Sequence, residues 1–472
     1  MSVPCRPNIL ILSTDQHRYD CIGYARDYPV KTPNLDRLAQ EGMAFTNAFT
    51  PAPLCCPARQ SLFSGRRAEA TGGYWNYDMG FDCAGLEPED AVWSPRLEEL
   101  GYNSAYIGKW HVHPEKVPTD YGYQRYFGYE HYDAYIHEKY GEIPTGWFDS
   151  EQWFFGSTNP LPLEDTPTHY LGAKAMETIR EFAKEGKPWH VRLDFVEPHL
   201  PCQPAEPFAS MYDPAKIPKW RSFEDTFEGK PYIQHQQLYN WRVENATWED
   251  WSKCVARYYA TITQMDHSIG RVLELLRELN LEENTLILYM TDHGDMCGGH
   301  RMVDKLYVMY DDVLHIPTIA CWKGVIPAGT VCDNFVVPYL DMAPTLLELW
   351  GENEPEGMHG RSLLPLLMGQ EEEQPRAHVV STYNGNQFGL YVQRSLRTHD
   401  FKYIWNLTDV DELYDLRSDP EELTNCIRDP QYAEVLADLR RRLHDELKAC
   451  GDSTLKRGLW LHEQLLEGRK LS

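Results

Sequence analysis

The chain of 472 residues carries 45 Lys+Arg against 71 Asp+Glu, a formal net charge of −26 at pH 7, with 42% hydrophobic and 25% charged residues. That length suits two to three domains or one large α/β domain with an appendage, and the ordinary apolar content excludes an intrinsically disordered chain. The acidic balance argues against nucleic acid or an anionic membrane as a general partner, so an anionic substrate would need a local cationic pocket.

Ile9 to Leu12 is a short continuous apolar run bounded by polar residues, the pattern of a buried parallel strand. Its end delivers Asp15 and Gln16 to the carboxyl edge of a sheet, where open α/β folds place their ligands. Thr32 and Pro33 read as the N-cap and first residue of a helix. Residues 105–107, 190–195 and 285–290 read as further strands, with a long helical pattern from about 255 to 279, and the last strand runs into Asp292 and His293. This alternation predicts an α/β fold with a large, mostly parallel sheet flanked by helices. Two stretches rich in aromatic residues interrupt it. The first, about 119–157, contains Tyr121, Tyr123, Tyr126, Tyr129, Trp147 and Trp153; the second, about 201–251, contains Trp220, Trp241, Trp248 and Trp251. Both read as insertions over the sheet edge, where loops carry specificity.

From about residue 377 the pattern changes to short strands and a last helix near 431–448, which predicts an α/β domain over 1–375 and a smaller α+β subdomain over 376–472. Glu371 to Glu373 read as a solvated face. The twelve cysteines lack paired spacing, so no disulfide framework is expected. No apolar run reaches membrane-spanning length, and Ile9 to Leu12 is too short for a signal-peptide core; a cytoplasmic protein without membrane contact is the expectation.

Cys55, Pro57 and Arg59, followed by Ser64, Gly65 and Arg66, stand in a Cys-x-Pro-x-Arg pattern with a small-Gly-Arg tail. Further along come Gly108 to His111 (Gly-Lys-Trp-His), Pro198 to Pro201 (Pro-His-Leu-Pro), and a segment with Asp292, His293, His300 and Lys305. Near the end, Glu412 to Asn425 closes the series. In this order the set resembles the type I sulfatases of the alkaline phosphatase superfamily, and the resemblance runs along nearly the whole chain. It implies an alkaline-phosphatase-like fold and hydrolysis of sulfate monoesters, with sulfated sugars such as those of glycosaminoglycan or mucin glycans as the expected substrates. It also implies oxidation of Cys55, not Cys56, to formylglycine by a separate maturation enzyme.

The implied metal ligands are Asp15, Gln16, Asp292 and His293 with residue 55, around one divalent cation. Calcium is the expected ion and manganese the alternative, because an imidazole is a softer ligand than a carboxylate. Arg59 would hold the formylglycine hydroxylate, Lys109 and Lys305 would bind the sulfate, and His111 would accept a proton from residue 55. Either His199 or Lys305 would protonate the leaving oxygen. Lys109, His199, His300 and Lys305 form the expected substrate-binding set. Two departures matter: Gln16 replaces a frequent Asp and His293 a frequent Asn, a combination similar to phosphonate monoester hydrolases, choline sulfatases and several carbohydrate sulfatases. Hydrolysis of a phosphonate monoester or phosphodiester at the same site is therefore the alternative reaction, and a silent glycan-binding protein the alternative from another class.

Overall fold

A computed structural model describes residues 6–77, 83, 85–141, 153–456 and 458–469. The strands of the main sheet are β1 (Asn8–Asp15), β2 (Met43–Phe45), β3 (Asn103–Gly108), β4 (Arg125–Phe127), β5 (Trp189–Pro198), β6 (Thr285–Thr291), β7 (Thr318–Cys321) and β8 (Thr330–Cys332). They lie in the order β4-β3-β5-β1-β6-β7-β2-β8, parallel except where β7 pairs. The apolar run in β1 serves both faces: Leu10 and Leu12 enter one core, Ile9 and Ile11 the other. A strand buried on both sides needs continuous apolar sequence, which is why this one is so legible.

Six helices position the site: α1 (Pro33–Glu41), α2 (Cys55–Ser64), α3 (Pro167–Glu185), α4 (Trp248–Glu278), α5 (Pro338–Leu349) and α6 (Ala433–Ala449). Helices α1, α3 and α4 cover one face of the sheet, and α2 and α5 the other. Pro33 is the first residue of α1 as expected, but the Thr32 hydroxyl does not cap it. That hydroxyl donates to Asp36 and accepts from the Gly23 amide. The free amides of Asn34 and Leu35 are met by Asp266 of α4, at 3.1 and 2.8 Å. A carboxylate from a packed neighbour takes the cap's place. Among the described residues, no helix is long and apolar enough to cross a membrane.

The C-terminal part builds a second sheet of consecutive antiparallel strands, β9 (Val379–Asn386), β10 (Gly389–Arg397), β11 (Phe401–Asn406) and β12 (Glu412–Asp415). Leu439, Leu443 and Leu447 of α6 pack on Leu396, Tyr403 and Leu413 on one face, while Tyr383, Ile404 and Tyr414 enter the main core on the other. Strand β9 is sewn to the segment before α2: the Thr382 amide donates to the Pro51 carbonyl at 2.9 Å, and the Ser381 hydroxyl to Thr50 at 2.6 Å. Close by, buried Glu69 pairs with Arg67 at 2.6 Å and accepts from the Thr382 hydroxyl.

Burial alone would raise the Glu69 carboxyl, but Arg67, Arg394 and these bonds bring it from 4.5 down to about 2. A carboxyl depressed on folding contributes its full stability above its unfolded value and loses it as pH falls toward the folded one. At 1.36 kcal/mol per unit, Glu69→Gln should cost roughly 3 kcal/mol at neutral pH. Urea unfolding should show the gap between variant and parent narrowing as pH falls from 4.5 toward 2; a gap that stays constant would contradict this account.

Candidate active site

Four neighbouring parallel strands, in the order β3-β5-β1-β6, end on the same edge of the sheet. Thr14 is in register with Thr291, so the next residues, Asp15 and Asp292, leave the sheet side by side. Gly108 and Ser13 both pair with Asp194, which brings Lys109 to the same spot. Gly108 has φ +107, and a Cβ there would lie 1.8 Å from the Asp194 carbonyl oxygen, so only glycine lets the chain turn into Lys109 this close to β5.

Cys55 is the first residue of α2, whose ten residues are all buried. Its Sγ lies 3.3 Å from His293 Nε2 and 3.6 Å from Asp15 Oδ1. One ligand atom from each of Asp15, Cys55, Asp292 and His293 falls within 4.8 Å of the others. Two ligands on opposite sides of a calcium ion are about 4.8 Å apart, so one hard divalent cation can touch all four. The His293 Nδ1–H donates to the Gly294 carbonyl at 2.8 Å, which fixes the tautomer and leaves Nε2 free to coordinate.

The electrostatics fit the same cation. Burial and the Cys55 charge push the Asp15 carboxyl up, yet Lys109, His199 and Arg59 hold it below the usual carboxylate range. Burial and Asp15 push Asp292 above that range. Burial opposes charge on His293, but Asp292 and Cys55 raise its affinity for a proton to about 9. Cation binding would displace that proton. Burial also opposes ionisation of Cys55, but Lys109, Lys305 and His293, with a bond from His111, hold it well below the ordinary thiol range. The site is built to favour negative charge at residue 55.

Arg59 holds the cluster from below: its guanidinium donates to Asp292 (3.0 Å), Asp194 (2.9 Å), Asp15 (3.3 Å) and the Lys109 carbonyl (3.0 Å). Lys109 Nζ donates to Asp15 at 2.5 Å. Lys305 Nζ donates to His199 Nε2 at 2.9 Å and to Gln16 Oε1 at 3.0 Å. His199 Nδ1–H in turn donates to the Leu200 carbonyl at 2.6 Å, so Nε2 is the acceptor in the pair. Cys55, Lys109, His111, His199 and Lys305 all line one cavity of about 580 Å³.

The sequence matches the family model described as sulfatase over residues 7–352. The chain belongs to the sulfatase family. A second family model, N-sulphoglucosamine sulphohydrolase, C-terminal, matches residues 298–449 of the sulfatase. Relatives include an arylsulfatase of Clostridium perfringens, 29% identical over 94% of this chain and 95% of that protein. An N-acetylglucosamine-6-O-sulfatase of Bacteroides thetaiotaomicron is 25% identical over 95% of this chain and 87% of that protein. The fold is shared with a phosphonate monoester hydrolase from Silicibacter pomeroyi (TM-score 0.80, 23% identity, 95% of this chain and 97% of that one). It is also shared with a protein solved in complex with its substrate D-glucosamine-2-N,6-O-disulfate (TM-score 0.77, 21% identity, 95% of this chain and 99% of that one). The protein is a sulfuric ester hydrolase.

Two expected site residues have other surroundings in this sulfatase. Gln16, expected as a metal ligand, has its carboxamide taken up elsewhere: Nε2 donates to Asp295 (2.9 Å) and Asp304 (2.8 Å), and Oε1 accepts from Lys305. Its backbone adopts φ +71. His300, expected to bind substrate, is 1% exposed, and its Nδ1–H donates to the Asp225 carboxylate 2.5 Å away. Its ring stacks on Tyr310 at 3.8 Å, so it anchors the loop between His293 and Lys305 rather than lining the cavity.

Most of the aromatic stretches are core: Tyr121, Tyr123, Trp220 and Trp251 are buried, and Trp248 packs against that core. Tyr126, Tyr129 and Trp241 line the cavity. Trp147 and the Trp153 side chain lie outside the described residues. Sequence reasoning missed Arg192 and Asp194, an ion pair buried without exposure under Arg59. Their signal was present, since charges at i and i+2 of a buried strand must share one face and one partner.

Proposed function

We propose that this sulfatase hydrolyses the sulfate ester of a small sulfated saccharide, with formylglycine made from Cys55 as nucleophile. Residue 55, Asp15, Asp292 and His293 would hold one divalent cation, calcium first and manganese second. The observation that carries the reading is the placement of Cys55 on that ligand group, in a cavity that Lys109 and Lys305 also line. The cavity volume of about 580 Å³ sits within the roughly 300–1,000 Å³ of small-molecule sites. Relatives and fold neighbours named for amino-sugar sulfates support the saccharide class.

Bound, the cation supplies Lewis acidity to the sulfate oxygens and to the attacking hydroxyl. The chain's own residues do the rest. Lys109 and Lys305 bind the sulfate oxygens as fixed charges. Burial disfavours a charged Lys305, but Asp304, Cys55 and Asp15 raise its affinity for the proton. His199 would pass the proton to the departing oxygen from Nε2, once that atom has exchanged its bond from Lys305 for a proton taken from solvent, while Nδ1–H stays on the Leu200 carbonyl. His111, bonded to residue 55, accepts the proton of its hydroxyl. Arg59 fixes Asp15, Asp194 and Asp292 so that they do not repel one another out of place.

The test is the fully matured enzyme against sulfated mono- and disaccharides, the matching polymer, nitrophenyl sulfate and a phosphonate monoester. The expected order of kcat/KM puts a small saccharide first. Preference for the polymer would overturn the substrate class, and preference for the phosphonate would reverse the reaction assignment. His199→Ala should lower kcat on a saccharide sulfate by about 10²–10⁴. The loss on nitrophenyl sulfate should be far smaller, because that leaving group needs no proton; equal losses would remove His199 from the acid role.

A further inference from the structure

Part of the cavity wall comes from the second sheet. The turn between β9 and β10 brings Asn386 and Gln387 into that wall, beside Asp304 and Lys305. Asn386 is 1% exposed, and its Oδ1 has no hydrogen-bond partner among the described residues. A buried carboxamide without a partner is costly unless something else donates to it. Here the neighbouring empty volume is the substrate cavity.

The turn is held where it is by the segment that carries Lys305. Tyr307, two residues on, is 1% exposed, and its hydroxyl donates to the carbonyls of Asn386 (2.7 Å) and Gly389 (2.9 Å). The same oxygen accepts from the Phe388 amide at 3.0 Å. Tyr307 adopts φ +62, and its ring packs edge-on against Tyr383 and Tyr391 of the two strands. Gly385, at φ +93, permits the close return of the chain: a Cβ there would lie 2.3 Å from the Gly389 carbonyl oxygen. One phenol thus fixes the distance between Lys305, which binds sulfate, and the carboxamide of Asn386.

We propose that Asn386 is a substrate-binding residue that accepts a hydrogen bond from a hydroxyl or amide N–H of the sulfated sugar, and that Tyr307 is its positioning residue. The inference rests on the saccharide reading above and narrows it. The alcohol part of the substrate must carry a donor at a fixed distance from its sulfate, which a simple aryl sulfate lacks. A site with a polar group made to pair with substrate discriminates strongly against an analogue that leaves it unpaired.

The experiment compares wild type, Asn386→Ala and Tyr307→Phe on the preferred sulfated monosaccharide, its series of deoxy analogues and nitrophenyl sulfate, with thermal unfolding of each variant as a folding control. Asn386→Ala should lower the saccharide-to-aryl ratio of kcat/KM by roughly ten-fold or more, mainly through KM for the saccharide. One deoxy analogue should be poorer for wild type by a similar factor, yet lose little more in Asn386→Ala, because both changes remove the same bond. Tyr307→Phe should shift the same ratio in the same direction by about three-fold or more. Equal losses on both substrate classes, or additive losses on every deoxy analogue, would overturn the inference. If wild type favours no saccharide over the aryl sulfate, the saccharide reading falls and takes this one with it; a wild-type preference that survives both substitutions overturns this inference alone.

Discussion

Replacing Cys55 with alanine should abolish turnover, lowering kcat/KM by on the order of 10⁴-fold or more, because on the proposed mechanism residue 55 supplies the attacking atom. Cys56→Ala should stay within a few-fold of the parent. The two cysteines are adjacent and equally buried, yet only Cys55 touches Asp15 and His293. Cys56 Sγ instead accepts from Gln60 within α2 at 3.3 Å. Peptide mass spectrometry of enzyme from a host that carries the maturation system should find the thiol-to-aldehyde conversion at position 55 and an unmodified thiol at 56. Full activity from chains with both thiols intact would refute formylglycine chemistry here, and loss of activity in Cys56→Ala with position 55 converted would point to an unrecognised role for Cys56.

The second large effect is expected at Arg59. Removing this guanidinium leaves Asp15, Asp194 and Asp292 buried together without their shared partner. Breaking a buried charge cluster by deleting one partner costs about 3–5 kcal/mol, so Arg59→Ala should lose that stability as well as activity, even with Lys109 on Asp15 and Arg192 on Asp194 still in place. Arg59→Lys keeps the charge but cannot reach three carboxylates at once, and should recover part of the stability with little of the turnover. A bound divalent cation would neutralise Asp15 and Asp292 as well. The stability lost in Arg59→Ala should therefore be larger after chelation than with calcium present, as read by chemical denaturation. A loss unaffected by chelation would argue that the carboxylates do not share a cation.

The parts of this site legible in the sequence are those fixed by local order. Asp15 and Asp292 follow continuous apolar runs, and a run of that kind announces both the strand and the edge at which it ends. Lys109, His111, His199 and Lys305 come from ordered short motifs, and the structure brings all four to one cavity. What escapes is set by packing between distant segments. Nothing near Thr32 indicates that Asp266, far along the chain, caps its helix. Gln16 and His300 stand in the right motifs, but their side chains answer to Asp304 and Asp225, whose positions depend on loop paths. Asn386 lies in a strand of ordinary composition and becomes visible only when the second sheet docks against the first.

That docking sets a time limit on the chemistry at residue 55. Cys55 is 1% exposed in the folded chain, and the segment just before it is hydrogen-bonded to β9, which is synthesised more than three hundred residues later. If a maturation enzyme oxidises Cys55, as proposed, its access from solvent ends once α2 coils and β9 closes over Thr50 and Pro51. On the proposed mechanism, conversion of Cys55 would therefore compete with folding, and a chain that folds first would keep its thiol.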